Sequence, residues 1–136
     1  MSDYRPAYLD TSAVLKLIVP EAESGALWDW LGSWPDRFTS TLAHVETIRT
    51  LRRKKASSRT FSRAEAVLAT IEAIHGDRPV LTMAAQMKDP RLRSLDAIHL
   101  ASALAIGDVL DAFVTYDARL ASAARRLKIT VLAPGS

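Results

Sequence analysis

Apolar residues occur along the chain in short bursts, each closed by small polar side chains or by Gly and Pro. Tyr8 and Leu9 favour a brief strand, which Asp10, Thr11 and Ser12 stop with three short polar groups. Ala13, Val14, Leu15, Leu17 and Ile18 follow, broken only by Lys16, and predict the first turns of a mostly buried helix. Pro20 interrupts, and Glu21 to Ser24 opens a second helix with acids expected in its first turn. Leu27, Trp28, Trp30 and Leu31 give that helix an apolar stripe, ended by Gly32 and Trp34-Pro35. Residues 37–41 read as a second strand, with Thr41 the expected N-cap of a long helix from Leu42 to about Lys55. On that helix Leu42, Val45, Ile48 (or Arg49) and Leu51 (or Arg52) recur at helical spacing, so this face is expected to be buried.

Residues 56–60 form a polar break, after which Ser62 is expected to cap a helix reaching about His75. Residues 79–83 predict an extended or loop-like segment, residues 84–87 a short helix, and residues 88–93 a charged turn around Pro90. From Ser94 to Ile106 the chain is apolar almost all round, the pattern of a helix in the middle of a domain. Ser94 is its natural N-cap and Gly107 its terminator. Residues 112–115 predict a strand leading to Asp117, and residues 118–127 a helix with Leu120, Ala121, Ala123, Ala124 and Leu127 inward. Thr130, Val131 and Leu132 supply a last short strand. Strands alternating with helices imply an α/β fold, a parallel sheet covered on both faces. The 136 residues are enough for one domain.

Composition narrows the chemistry. The absence of cysteine rules out disulfides and thiolate metal sites and suits a reducing compartment. Charged residues near the N-terminus leave no room for a signal peptide, and the longest apolar run is too short to span a bilayer. A soluble cytoplasmic protein with no membrane partner is therefore expected. The net charge is only +3, but Arg49, Arg52, Arg53, Lys54, Lys55, Arg59 and Arg63 gather the positive charge in one region. Such a region invites a polyanion, although most basic runs are solvated helix faces. Trp28, Trp30 and Trp34 fit packing or a dimer surface better than base stacking.

Carboxylates then change the picture. Asp10 and Asp117 both finish strands, and Glu46 and Asp96 lie near the starts of helices that follow loops. In a parallel sheet all four points fall at the C-terminal edge, where α/β folds collect ligands. Each acid alone has an ordinary explanation: a cap for Asp10, an exposed turn for Glu46, dipole stabilisation for Asp96. Together they could line one pocket, and like charges that close cannot all stay ionised unless a cation joins them. Oxygen donors without Cys or a His pair select Mg²⁺ or Mn²⁺ over zinc. Such ions activate water and steady the departing oxygen of a phosphodiester. His99, one turn beyond Asp96, reads as a buried hydrogen-bonded residue that orients its neighbours. Two other readings stand beside this one. A phosphatase using Asp10 as nucleophile conflicts with Ser12, where Asp-x-Asp enzymes carry a second acid; a non-catalytic module would leave the acids structural.

Tyr8-Leu9-Asp10-Thr11-Ser12-Ala13, Glu46 followed by Arg49, Leu95-Asp96-Ala97-Ile98-His99-Leu100-Ala101 and Val114-Thr115-Tyr116-Asp117 resemble the PIN-domain family, most closely its VapC-type toxins. The likeness runs through essentially the whole chain in order. It implies an α/β/α sandwich and a Mg²⁺- or Mn²⁺-dependent endoribonuclease that leaves a 3′-hydroxyl and a 5′-phosphate. It also implies a homodimer held in check by a cognate VapB-like antitoxin, or alternatively a nuclease of RNA processing. By position Asp10, Glu46, Asp96 and Asp117 match the acidic quartet of catalytic and metal-binding residues. Thr11, Ser12 and Thr115 match supporting polar positions, and Arg49, Arg52 and Arg53 are candidates for RNA contact.

Overall fold

The structure is a computed structural model and describes residues 4–33 and 36–136. Trp34, one of the three tryptophans weighed above, lies outside the described residues. Five strands form one all-parallel sheet: β1 (Pro6–Leu9), β2 (Asp36–Ser40), β3 (Glu72–Ile74), β4 (Ala112–Val114) and β5 (Val131–Leu132), in the order β3-β2-β1-β4-β5. Seven α-helices connect them among the described residues: α1 (Thr11–Ile18), α2 (Ser24–Leu31), α3 (Thr41–Arg53), α4 (Ser58–Ala69), α5 (Arg78–Ala85), α6 (Ser94–Ile106) and α7 (Ala118–Arg126).

The layers follow from strand alternation. Successive side chains of a strand point to opposite faces, and in the central pair Tyr8 is level with Phe113 while Leu9 is level with Val114. Leu9 and Val114 enter the larger core with Val14, Leu17, Leu27, Leu51 and Val67, so α1 to α4 cover that face. Tyr8 and Phe113 enter the other with Leu100, Ala103, Leu120 and Ala124, so α6 and α7 cover the opposite face, with α5 packed on α6. Helix, sheet and helix make three layers, as expected from the sequence. The chain runs outward from β1 through β2 to β3, then crosses to the far side of β1 for β4 and β5. That reversal places a switch point between β1 and β4, opening at their C-terminal ends.

Several local expectations are corrected. The helix expected from Ser62 to His75 starts five residues sooner, capped by Ser57 Oγ accepting from Thr60 N, and stops at Ala69. Residues 72–74 then add the edge strand β3, whose exposed pattern carries no apolar alternation to announce it. Residues 78–85 are helical because Asp77 caps them and Pro79 sits in the first turn, where its missing N–H costs nothing. Ser40, not Thr41, caps α3, and Arg93, not Ser94, stands at the cap of α6. Glu21 and Glu23 precede α2 rather than occupying its first turn, and both pair with Lys16. Leu127 lies beyond α7 and is exposed. Gly107 does end α6, at φ +86°.

Candidate active site

Asp10 leaves β1 at the switch point with extended backbone, its N–H donating to Val114 O at 3.2 Å. Its Oδ1 accepts from Ala13 N at 2.9 Å, which makes it the N-cap of α1, and from Ser12 Oγ at 2.6 Å. Its Oδ2 accepts from Thr115 Oγ1 at 2.5 Å. The residue is 3% exposed. Burial drives its carboxyl above the usual range, against the pull of the Ser12, Thr115 and Ala13 donors and the His99 charge. A cap that needed only an acceptor would not require a carboxylate so far out of water.

The two supporting hydroxyls tie this acid to the loop after β4. Ser12 Oγ accepts from Tyr116 N at 2.9 Å, and Thr115 Oγ1 accepts from Asp117 N at 3.0 Å. Asp117 caps α7 by accepting from Arg119 N and Leu120 N.

Glu46, in the second turn of α3, belongs to a different network. Its Oε1 accepts from Thr11 Oγ1 at 2.7 Å and from His99 Nε2 at 2.9 Å. A carboxylate only accepts, so the imidazole proton facing it sits on Nε2, and Nδ1 is free to accept from Tyr8 OH at 2.7 Å. A buried phenol with its pKa pushed well up by burial and by the Asp10 charge is a firm donor in that bond. The ring of Tyr8 is fixed by stacking on Phe113 at 5.2 Å and by an edge contact with His99. Burial, the largest effect on Glu46, pushes its carboxyl upward; the His99 and Thr11 hydrogen bonds, with the electrostatic attraction of His99, together hold it below its ordinary value.

Glu46, Asp96 and Asp117 line a single cavity of about 250 Å³ together with Arg93 and Arg119. Asp96 lies in the first turn of α6, half-buried. Burial raises its carboxyl first, then the charge of Asp117, with a smaller push from Glu46; His99 and Arg93 oppose them. Asp10 lies outside that lining but shares its electrostatic environment, since Asp10, Glu46 and Asp96 all feel His99. The fold therefore gathers Glu46, Asp96 and Asp117 around one space and sets Asp10 behind it on the β1–β4 side. Among the described residues no three His, Asp or Glu side chains form a ready-made coordination shell.

Arg49, Arg52 and Arg53 lie on the exposed side of α3, and none lines this cavity. The Arg52 guanidinium sits 5.2 Å from the Phe61 ring, and Arg53 donates to Thr50 Oγ1. Trp30 packs against the core beside α1, while Trp28 is exposed next to Arg37. The part of the site that sequence reasoning missed is Tyr8, read only as a strand residue. A Tyr one position before Leu9 on the inward-facing pattern must find a partner for its hydroxyl, and that was its signal.

Comparison with known proteins shows the family. The PIN domain family model matches residues 7–126. Ribonuclease VapC35 of Mycobacterium tuberculosis is 45% identical over 132 residues, covering 94% of this chain and 96% of that protein. Ribonuclease VapC47 of the same organism is 41% identical over 133 residues, covering 95% and 97%. Among solved structures, VapC20 of Mycobacterium tuberculosis, a sarcin-ricin loop cleaving toxin, aligns with a TM-score of 0.69 at 19% identity, over 86% of this chain and 94% of that one. A toxin–antitoxin complex from Klebsiella pneumoniae aligns with a TM-score of 0.70 at 20% identity, over 94% and 97%. The two structures share the fold.

Proposed function

Because the chain belongs to the PIN-domain family, and within it to the VapC-type ribonucleases, we propose that it is the endoribonuclease toxin of a VapBC-type pair. In this reading it works in the cytoplasm as a homodimer of one-domain subunits, and a VapB-like antitoxin restrains it by covering the acidic cavity.

The observation that carries the chemistry is the convergence of Glu46, Asp96 and Asp117 on one cavity, with Asp10 buried behind it. Three acids around so small a space repel one another, as the upward push of Asp117 and Glu46 on Asp96 records. A hard divalent cation is the species that relieves such repulsion, and an all-oxygen donor set suits it. Asp10, Glu46, Asp96 and Asp117 are the residues that would hold Mg²⁺ or Mn²⁺. Bound there, the ion supplies Lewis acidity toward water and the phosphate ester.

The remaining groups keep those donors ready. Thr11 and the Nε2–H of His99 fix one oxygen of Glu46 and favour its charged form, leaving Oε2 without a hydrogen-bond partner among the described residues. Ser12 and Thr115 hold Asp10 from both sides. Arg93 and Arg119 bring positive charge to the rim of an acidic space that would otherwise repel RNA.

Asp10→Asn and Asp96→Asn are the direct tests, read as cleavage of an RNA substrate with Mg²⁺ or Mn²⁺ and with a chelator. Each is expected to lose more than the roughly 10–100-fold typical of outer-shell substitutions, with the circular dichroism spectrum intact. Undiminished cleavage by both variants would falsify the assignment.

A further inference from the structure

A second, larger cavity of about 520 Å³ adjoins the acidic one, the two sharing Asp96 and Arg119 in their linings. Its character is different. Arg91, Arg119 and Arg126 line it with Ser122, against only two carboxylates, Asp89 and Asp96. Three of these residues belong to α7 at spacings of three and four, so Arg119, Ser122 and Arg126 form one stripe along the helix. That stripe is about 10 Å long at 1.5 Å per residue.

Asp89 does not neutralise the wall. Its Oδ2 accepts from Arg126 at 2.7 Å and its two oxygens accept from Arg91 at 3.1 and 3.3 Å, so one carboxylate is shared between two guanidiniums. Each arginine has five donors and commits one or two of them here. Arg119 makes no ion pair among the described residues, and it stands on the boundary with the acidic cavity. Asp89 thus aims two cations while leaving the wall positive. The α3 arginines have no comparable place, for none of them lines either cavity.

We propose that this basic cavity is the subsite for the RNA strand flanking the cleaved bond, with Arg119 and Arg126 on α7 and Arg91 in the loop before α6 taking its phosphates. The proposal rests on the ribonuclease reading for its choice of ligand. It assigns strand positioning to α7 rather than to the denser basic run of α3.

The test measures binding, independently of cleavage. Full-length protein is titrated into a fluorescein-labelled single-stranded RNA oligonucleotide across a salt series without divalent cation, followed by anisotropy. Losing two phosphate contacts at about 0.7 each predicts that the double variant Arg119→Gln/Arg126→Gln flattens the slope of log affinity against log salt by about 1.4. It is also expected to weaken binding roughly tenfold or more at moderate salt. Arg119→Gln alone is the variant that breaks no ion pair, and Arg126→Lys keeps the charge beside Asp89. The first is expected to flatten the slope by about 0.7 and the second to leave it near wild type. Arg49→Gln/Arg53→Gln on α3 is expected to leave it unchanged. An unchanged slope in the α7 double variant overturns the subsite, as does failure of the wild type to bind RNA. Loss of affinity for polyglutamate but not for RNA overturns it too, since the wall would then serve an acidic protein partner. If the α7 variants lose RNA affinity as expected while no divalent cation elicits cleavage by the wild type, the subsite stands and the nuclease assignment falls.

Discussion

His99 is the residue through which the two sides of the site communicate. It lies on α6, accepts from Tyr8 of the central strand and donates to Glu46 of α3, and is 3% exposed. Deleting its ring leaves a buried phenol and a half-buried carboxylate short of partners, each at a cost of about 1–3 kcal/mol. His99→Phe, which keeps most of the volume, is accordingly expected to lower unfolding free energy by that order in a urea titration. Tyr8→Phe strips only the donor to Nδ1 and should cost about 1 kcal/mol. A His99→Phe variant no less stable than Tyr8→Phe would show that the Nε2–Glu46 bond contributes nothing. The residue scale was also where the sequence was most legible. That Glu46, Asp96 and Asp117 would meet, and that His99 would be buried and hydrogen-bonded, was legible in their places after strands and loops. What could not be read was that Asp10 hides behind the cavity rather than lining it. That depends on Ser12, two residues on, and Thr115, from a remote segment, both closing on it.

Elements were harder to read, for reasons that α3 makes plain. Leu42, Val45, Ile48 (or Arg49) and Leu51 (or Arg52) were expected to face inward; Leu51 is buried and Ile48 packs on the core, yet Val45 is 56% exposed while Ala43 and Thr47 are buried. The small side chains of Ala43 and Thr47, at i and i+4, allow α3 to lie close to α1, so at these two positions proximity outweighs bulk hydrophobicity. Thr47 is fully buried and its hydroxyl has no hydrogen-bond partner among the described residues. Thr47→Val keeps the shape and removes the unmet polar group, so stability is expected to rise by about 1 kcal/mol, measured as a higher urea midpoint at unchanged m. A lower midpoint would mean that the hydroxyl is satisfied after all. The misread segments β3 and α5 have the same kind of cause. A three-residue edge strand has too little length for a period, and Pro79 signals a helix start only once Asp77 is known to cap it.

At the scale of the whole molecule, Asp89 links the loop before α6 to α7 through Arg91 and Arg126. The side-chain and backbone hydrogen bonds from Arg91, then the charges of Arg91 and Arg126, hold its carboxyl at about 2, below the ordinary 3.8. A lowered folded pKa stabilises at pH values above the unfolded one, and that gain disappears as pH falls through the folded one. Asp89→Asn is therefore expected to be slightly less stable than wild type at neutral pH, with the gap closing between about 4 and about 2. Added salt should shrink the gap at neutral pH, because the pairs face water. Thermal melts of both proteins across pH, at low and moderate salt, measure it; a gap that persists below pH 2 would place the effect of the substitution elsewhere.

The sheet order carries one more consequence. Asp10 stands near the start of the chain, but Thr115, which grips it, and Asp117 come late, just after β4, the strand paired with β1. In a chain emerging from its N-terminus, the carboxylate of Asp10 is therefore made long before the Thr115 hydroxyl that grips it, which comes only with the final fifth of the polypeptide.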